Sequence, residues 1–324
     1  MTEESKRKSN TRVSSYFQST DNPIRLAILG AGKIGKIQAQ VFHRLGIRLC
    51  AVLCSSDKTA KKAAKNIENT LGVLVQPFSK LDKLFQIASP DAITICTPPH
   101  LHFEHTIAAF DRALPVFCEK PLFWNSTITR KGVETRLNCL ASHPHRQLFV
   151  NTSNAYLIDA VRHRLPAADS IYFFNIQFHT LGHYRGNEIA LDLLPHGLSM
   201  LITLLGQKEI TQFQSRFTQT TYQCSFNYGD CLVKFNFQEQ VHGDKKLLFV
   251  VNDQNFLRIQ KGADATFRVF LKDCELGENI EIQNPLQNYI MRFTDYCQAS
   301  INSRNGDAFA EASANMRLIA SILL

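Results

Sequence analysis

Short apolar runs alternate with amphipathic stretches over residues 24–150. Residues 25–29 form the first apolar run. Residues 36–45 follow with apolar side chains at helical spacing, and the glycine after them predicts the end of a helix. A second apolar run at 49–54 precedes a polar, helix-patterned stretch at 57–70. This alternation predicts successive βαβ units over a parallel sheet.

The alternation continues into two segments that carry polar side chains. Residues 91–96 predict a strand that runs into Thr97-Pro98-Pro99-His100, and residues 101–113 predict the helix that follows. A further short apolar run ends in Cys118-Glu119-Lys120-Pro121. Because proline cannot donate a ladder hydrogen bond, Pro121 predicts the end of this strand, with Lys120 placed at that end.

The pattern changes beyond about residue 151. Strand-like runs follow one another without intervening helices, which predicts a largely antiparallel sheet. These runs are 171–179, 212–218, 222–227, 231–238, 246–251, 255–260 and 266–271. Helical patterns occur at 192–205, 286–300 and 307–324. The last of them ends on apolar residues without a cap, which predicts either a truncated chain or a buried terminus.

We therefore predict an α/β domain followed by an α+β domain. Residues 23–150 are expected to form a dinucleotide-binding Rossmann domain with a doubly wound parallel sheet. Residues 151–324 are expected to form a substrate-binding and dimerisation domain with a large open, mostly antiparallel sheet. Residues 1–22, which are polar and basic, are expected to be a flexible tail. A chain of 324 residues exceeds the size of most single cores, so two domains are expected.

Charge and cysteine content narrow the class of protein. The net charge is +8, but the basic residues are scattered except near the N-terminus. No DNA- or RNA-binding signature accompanies them, so a solvated basic surface is favoured over nucleic-acid binding. Nine cysteines, an odd number without C-x-x-C spacing, predict reduced thiols in a cytoplasmic protein. No segment approaches the roughly 18 consecutive apolar residues of a membrane span, so no membrane partner is expected.

The motif Gly30-Ala31-Gly32-Lys33-Ile34-Gly35 stands between the first strand and the first helix. In this position Gly30 permits a tight turn, Gly32 lets the backbone approach a pyrophosphate, and Gly35 lets the helix pack on the strand. The helix N-terminus supplies N–H groups to the phosphates, so Lys33 and Ile34 are also expected at the cofactor. A glycine-rich turn without a ligand is the alternative.

The end of the second strand bears on the choice between NAD and NADP. An acid at this point binds the ribose 2′-hydroxyl of NAD, but here Ser55 and Ser56 come first. These hydroxyls and the lysines that begin at Lys58 would accommodate a 2′-phosphate, so NADP is slightly favoured and NAD stays open. Asp57 is assigned as the N-cap of the next helix, with Ser55 and Ser56 as competitors.

Together the motifs resemble the Gfo/Idh/MocA oxidoreductase family, named for glucose–fructose oxidoreductase and inositol dehydrogenase. The resemblance rests on the glycine motif, on Thr97-Pro98-Pro99-His100-Leu101-His102, on Cys118-Glu119-Lys120-Pro121 and on Asp192-Leu193-Leu194-Pro195-His196. The last segment matches the family's Asp-x-x-x-His. The resemblance covers nearly everything after the tail. It implies an NAD(P)-dependent dehydrogenase or reductase acting on CH–OH groups of a sugar, cyclitol or related polar small molecule, with no metal.

The resemblance also implies roles for individual residues. Lys120, Asp192 and His196 would gather around the substrate carbon opposite the nicotinamide. In the oxidation direction His196 would accept the hydroxyl proton and Lys120 would hydrogen-bond the same oxygen. Asp192 would orient the substrate or the pair. The cofactor site would further include the residues Thr97, Pro98, His100, Glu119 and Lys120.

Local geometry constrains the Asp192 segment. Asp192 and His196 are four residues apart, so a helix places both on one face. Pro195 between them lacks an N–H group, which is tolerable in a first turn. We therefore expect the helix to begin near Asp192, where its N-terminus would favour the ionised carboxylate.

Each of the three residues also has a structural interpretation. Lys120 could pair with Glu119, Asp192 could cap its helix, and His196 could be a core histidine. A catalytically silent dinucleotide-binding regulator or scaffold, or a C=N or C=C reductase, would carry the same motifs. If one face of the open sheet is apolar, it would form a homodimer or homotetramer interface.

Three segments depart from the family pattern. The residues before Asp192 lack a glycine pair, and the segment around Asn154 lacks the family's arginine and proline. Ala113-Leu114-Pro115 replaces the glycine turn usual before the Glu-Lys-Pro strand. None of these departures removes a proposed proton-transfer group, but together they leave the identity of the substrate open.

Overall fold

Strands and helices alternate in the N-terminal part of the chain, as the apolar periodicity predicts. The computed structural model describes residues 23–262, 267–299 and 306–324. The chain divides into two units, the first ending at Ile93 and the second beginning at Thr94. The predicted tail lies outside the described residues, and the predicted boundary at residue 150 stays a prediction.

The first unit forms one side of a parallel sheet. Its elements are β1 (Arg25–Leu29), α1 (Lys33–Arg44), β2 (Arg48–Leu53), α2 (Asp57–Leu71), β3 (Gln76–Phe78), α3 (Leu81–Ala88) and the beginning of β4 (Ala92–Ile95). β2 pairs in parallel with both β1 and β3. Leu26, Ile28 and Val52 are almost fully buried because βαβ crossovers cover both faces of such a sheet.

Two helix starts differ from the sequence prediction. α1 begins at Lys33 rather than residue 36, so its first turn lies within the glycine motif. Asp57 was expected to cap α2, but the N-cap is Ser56. Ser56 is extended and exchanges hydrogen bonds with Thr59 in a capping box, an arrangement that needs a hydroxyl three residues before the partner. The Asp57 carboxylate instead accepts a hydrogen bond from Ser79.

The second unit continues the parallel sheet and adds an open one. Its elements are α4 (His102–Phe110), β5 (Val116–Cys118), α5 (Arg130–Ser142), β6 (Leu148–Val150), α6 (Ala155–Val161), β7 (Phe173–Leu181), α7 (Glu188–Leu205), β8 (Ile210–Phe217), β9 (Thr221–Tyr228), β10 (Cys231–Gln240), β11 (Lys246–Val251), β12 (Gln254–Lys261), β13 (Arg268–Asp273), β14 (Asn279–Ile282), α8 (Pro285–Gln298) and α9 (Phe309–Leu323). Within the described residues, the parallel sheet has the order β3-β2-β1-β4-β5-β6, and the open sheet the order β14-β13-β12-β11-β7-β10-β9-β8.

The open sheet is antiparallel except at its centre, where β7 and β10 run in parallel. Residues on its strands alternate between a buried inner face and a less buried outer face. Phe174, Phe235 and Phe249 belong to the inner face and are fully buried. The predicted α/β plus α+β architecture is thus confirmed.

Helix α7 packs closely on the inner face. A Cβ atom added to Gly197 would lie 3.0 Å from the Phe235 ring, so only glycine allows this approach without a shift. α7 has the length and mean hydropathy, 1.4 over 18 residues, of a membrane-spanning helix. This is weak support for such a role, because 67% of the helix is buried within the protein and core helices meet the same criterion.

Candidate active site

The glycine loop of the first unit has the geometry of a phosphate cradle. Gly30 adopts a φ of 96°, a conformation that side chains rarely permit, and its N–H donates to the Leu53 carbonyl at 2.9 Å. Gly32 is the N-cap of α1, and a Cβ atom added there would meet no protein atom within 4 Å. Gly35 is buried in the first turns of α1.

The N-terminus of α1 is open to an anion. Among the described residues no side chain caps it, and its first turn, which contains Lys33 and Ile34, has no acid. Its free N–H groups and the open space beside Gly32 fit the diphosphate of a dinucleotide. At the end of β2, Ser55 is exposed while the Ser56 hydroxyl accepts a hydrogen bond from the Thr59 N–H at 3.3 Å.

The second unit holds the predicted proton-transfer residues together. Lys120 follows β5 and is joined to Pro121 by a cis peptide bond. Its ammonium donates to the Asp192 side chain at 2.5 Å and to the Asp192 carbonyl oxygen at 2.7 Å. The two side chains are 12% and 25% exposed, so the ion pair is largely screened from water. The residues that form it are 72 positions apart.

The helix that carries Asp192 begins earlier than predicted. α7 starts at Glu188, so Asp192 is inside the helix and Pro195 is an interior proline. The expectation that Pro195 restricts this segment to a first turn is wrong, because burial of the apolar residues of α7 outweighs the lost hydrogen bond. The Pro195 carbonyl oxygen accepts an additional hydrogen bond from the buried Asn315 side chain at 2.9 Å.

The charge of Asp192 therefore has a different cause from the one predicted. Burial works against its ionisation, but the Lys120 ammonium outweighs burial and lowers the pKa of the carboxyl group. A helix N-terminus is not the source, since the N-cap of α7 is Asn187. The structural interpretation of Asp192 as a helix cap does not fit this position.

His196 lies one helical turn after Asp192 with a ring nitrogen left unsatisfied. Its ring contacts Phe178 edge-on, with centroids 5.7 Å apart. Its Nδ1 atom is buried and has no hydrogen-bond partner in the described part of the chain. Burial and then the nearby Lys120 charge lower the pKa of His196 to about 3, so the ring is neutral at physiological pH. A satisfied core histidine would not leave Nδ1 orphaned.

Glu239 is a site residue that the sequence reasoning missed. It ends the buried alternation of β10 after Phe235 and Phe237, and it is 2% exposed. One carboxylate oxygen accepts from the Tyr184 N–H at 3.2 Å, whereas the other is buried without a partner among the described residues. Burial, and secondly the Asp192 charge, raise the pKa of Glu239. A single acid at an inward position of an apolar strand was the available signal.

The two shorter motifs of the second unit are linked through His102. This buried ring faces the Thr97 carbonyl oxygen at 2.6 Å through Nε2 and the Pro121 carbonyl oxygen at 2.9 Å through Nδ1. The Thr97 hydroxyl also pairs with His105 at 3.1 Å. His102 thereby ties the loop after β4 to the proline that follows Lys120.

The other predicted cofactor residues of these motifs are placed as follows. Pro98 precedes a short 3-10 turn that contains His100, the latter being exposed. Glu119 is buried, and its carboxylate accepts from the Asn151 side chain at 2.7 Å. No cluster of metal-ligating side chains occurs in the described ranges.

A glycine loop between the first strand and the first helix of a parallel sheet is typical of dinucleotide-binding Rossmann folds. Residues 24–147 match the family model described as an oxidoreductase family with an NAD-binding Rossmann fold, Gfo/Idh/MocA. This match confirms, for residues 24–147, the resemblance inferred from the motifs.

Known relatives include sugar and cyclitol dehydrogenases. D-glucoside 3-dehydrogenase of Escherichia coli is 34% identical over 104 residues, which cover 32% of this chain and 28% of that enzyme. Inositol 2-dehydrogenase 4 of Saccharopolyspora erythraea is 32% identical over 120 residues, covering 36% and 34% of the two chains. The chain thus spans about a third of the length of these curated relatives.

The fold likeness extends over most of the chain. The crystal structure of myo-inositol 2-dehydrogenase from Lactobacillus plantarum superposes with a TM-score of 0.66. The match covers 93% of this chain and 96% of that chain at 16% sequence identity. At this identity the match establishes the shared fold.

Proposed function

We propose that this protein is an NAD(P)-dependent oxidoreductase that moves hydride between the nicotinamide and a secondary alcohol or ketone of a sugar, cyclitol or related polar molecule. The observation that carries the proposal is the Lys120–Asp192 ion pair beside a neutral His196 with an orphaned ring nitrogen. The family of residues 24–147 and the names of the curated relatives support the same chemistry.

The chain's own residues would hold the substrate and move a proton. His196 accepts the proton of the substrate hydroxyl, since its ring is uncharged in the resting protein. Lys120 donates a hydrogen bond to the same oxygen, and Asp192 fixes the position of the Lys120 ammonium. When bound, the nicotinamide supplies the hydride acceptor or donor.

For the cofactor we propose the loop Gly30–Gly35 with the first turn of α1 as the diphosphate site. We further propose Thr97, Pro98, His100, Glu119 and Lys120 as its remaining contacts. NADP is favoured over NAD because Ser55 and Lys58 are exposed after β2, and the first acid after the strand, Asp57, already accepts a hydrogen bond from Ser79. Fluorescence titration with NADPH and NADH checks this preference, and tighter binding of NADH would reverse it.

Removal of the Lys120 amine tests the proposed function. With NADP⁺ or NAD⁺ and a panel of cyclitols and sugars, the wild-type protein should produce reduced nicotinamide. Lys120→Ala should lower kcat on the substrate so found by about 10²- to 10⁴-fold, the usual contribution of a positioned proton-transfer group. Lys131→Ala, at an exposed position of α5, is the matched control and should leave kcat unchanged.

Two results would contradict the assignment in different ways. Full turnover by Lys120→Ala would exclude the mechanism. Tight NADPH binding by the wild-type protein without oxidation or reduction of any panel member would favour a dinucleotide-binding regulator or scaffold.

We also propose that the outer face of the open sheet forms a homo-oligomer interface. Apolar side chains on this face, only partly buried, are contributed by Leu248, Val250, Leu257, Ile259 and Phe270. Such a surface is typical of subunit interfaces. Sedimentation at micromolar concentration should show a dimer or tetramer, and a monomer under these conditions would overturn this part of the proposal.

A further inference from the structure

Arg258 is an isolated cation on the apolar inner face of the open sheet. It lies on β12 directly opposite Leu247 of β11, which in turn is opposite Phe178 of β7. The preceding inward residue of β12 is the fully buried Phe256. A guanidinium in such a row has little water to solvate it.

The described part of the chain provides no carboxylate partner for this guanidinium. Its Nε atom is buried without a hydrogen-bond partner, and burial lowers the pKa of Arg258 to about 10. Other arginines of the same sheet region are paired: Arg268 with Glu281, and Arg164 with Asp273 and Glu278. The residue as a whole is only partly buried, but a guanidinium with a buried, unpaired Nε atom and no counter-charge favours a ligand that supplies one.

The position of Arg258 is that of the candidate active site. After burial and the Lys120 charge, the Arg258 charge makes a smaller contribution to the lowered pKa of His196. His196 also packs on Phe178, a member of the same cross-strand row as Arg258. Asp192 is already paired with Lys120, so it does not neutralise a second cation.

Glu239 is a further ionisable group on the inner face of the open sheet. Its carboxylate lies at the end of β10, two residues beyond Phe237, and interacts with Asp192 and Lys120. Among the described residues no hydrogen bond or ion pair joins Glu239 to Arg258, so Glu239 is not the counter-ion of this guanidinium.

We propose that Arg258 binds an anionic group of the substrate, a carboxylate or a phosphate monoester, while the reacting hydroxyl lies at His196 and Lys120. The inference rests on the proposed function and narrows its substrate class from neutral polyols to acidic sugars or hydroxy acids. Arg258 would make a bidentate, charge-assisted contact for which guanidinium geometry is suited.

The test compares ligands that differ in one group. D-glucose, D-glucuronate and D-glucose 6-phosphate share their ring hydroxyls but carry a neutral, carboxylate or phosphate group at carbon 6. Binding of each to the full chain with excess NADPH is measured by titration calorimetry, and turnover with NADP⁺ and NAD⁺ is measured in parallel. The wild-type protein should bind at least one anion about 10- to 100-fold more tightly than glucose, the range of a hydrogen bond to a charged group.

Variants then assign the preference to Arg258. Arg258→Met should abolish the anion preference and leave NADPH affinity unchanged, whereas Arg258→Lys should retain part of the preference. Lys261→Met removes one exposed positive charge from the same strand and should change nothing. Whichever anion loses affinity in Arg258→Met identifies the ligand as a carboxylate or a phosphate.

The outcomes separate this inference from the proposed function. Equal binding of all three ligands, or an anion preference that survives in Arg258→Met, would overturn the anion site even if turnover occurs. Arg258-dependent anion binding without any turnover would support the anion site and count against the oxidoreductase proposal. If Arg258→Met unfolds, an anion preference that is weaker in Arg258→Lys and unchanged in Lys261→Met supports the site, and a preference undiminished in Arg258→Lys overturns it.

Discussion

The glycine loop of the first unit and the Lys120–Asp192–His196 cluster of the second are built in opposite ways. The loop consists of six consecutive residues whose backbone conformation makes the site, with Gly30 in the left-handed region and Gly32 beside open space. The cluster brings together side chains 72 positions apart through the packing of α7 on a sheet. The stability changes caused by substitutions in the loop should therefore add to those caused elsewhere. Stability changes within the cluster should be strongly non-additive.

The largest effect on stability is expected at Asp192. Asp192→Asn leaves the Lys120 ammonium without its counter-charge, which should lower the free energy of unfolding by about 2–3 kcal/mol. Chemical denaturation measures the loss. The double variant with Lys120→Met should be more stable than the sum of the two single changes predicts. Strictly additive losses would show that the cluster residues are no more coupled than those of the glycine loop.

The same pair predicts a pH dependence. Because the pKa of Asp192 is lowered in the folded state, its contribution is present above the ordinary carboxyl pKa and is lost as pH falls through the folded value. Asp192→Asn should remove this part of the acid destabilisation.

Gly30 is expected to show the next largest effect. Gly30→Ala forces a side chain into a φ of 96°, which should cost about 1–2 kcal/mol and weaken dinucleotide binding. Gly72→Ala is the matched control, since Gly72 also has a positive φ of 70° but ends α2. The control should lower stability comparably and leave NADPH affinity intact. Equal loss of affinity in both variants would show that the loop has no special role.

Substitution of Ser56 tests whether the residues after β2 stabilise only the helix that they begin. Ser56→Ala removes the cap of α2 and should lower the free energy of unfolding by about 1 kcal/mol. Ser55→Ala should have no comparable effect, because the Ser55 side chain does not cap the helix. Thermal denaturation compares the two. Combined with Gly30→Ala, the Ser56 effect should add within about 0.5 kcal/mol.

Glu239 should give the smallest change, with a characteristic sign. Because its pKa is raised in the folded state, Glu239 makes a contribution to stability that grows as pH falls from neutrality toward the carboxyl range. Glu239→Gln should abolish that gain. Glu281→Gln is the control of opposite sign, because its Arg268 partner lowers the pKa of Glu281. An unchanged pH dependence in Glu239→Gln would show that this carboxyl group titrates normally.

Much of the fold follows from apolar periodicity. The strands β1, β9 and β11 and the helix α2 lie within one or two residues of the ranges that alternation predicts. The short strands β3 and β14 carry too few alternating positions to stand out, and they were not predicted. The N-cap of α2 was misassigned because three adjacent polar residues compete for it, and only the Ser56–Thr59 pairing decides between them.

The start of α7 shows where local rules fail. The proline rule places Pro195 in a first turn, yet the helix extends seven residues before it, from Glu188. Local propensity weighs one lost hydrogen bond, whereas the folded protein also buries Leu193, Leu194 and Leu198 on the same helix. The Asp192 and His196 pairing survives the error because four-residue spacing holds anywhere in a helix.

By itself the sequence predicted the family resemblance, the glycine loop and the three candidate proton-transfer residues, because each rests on a short motif whose chemistry is local. Only the tertiary structure decided that Lys120 neutralises Asp192, that His196 Nδ1 is left unsatisfied, and that Glu239 and Arg258 face the same inner wall. The physical reason is that burial and charge pairing depend on strands and helices far apart in the chain. The charges of the site, and the anionic substrate inferred from them, therefore depend on the tertiary structure.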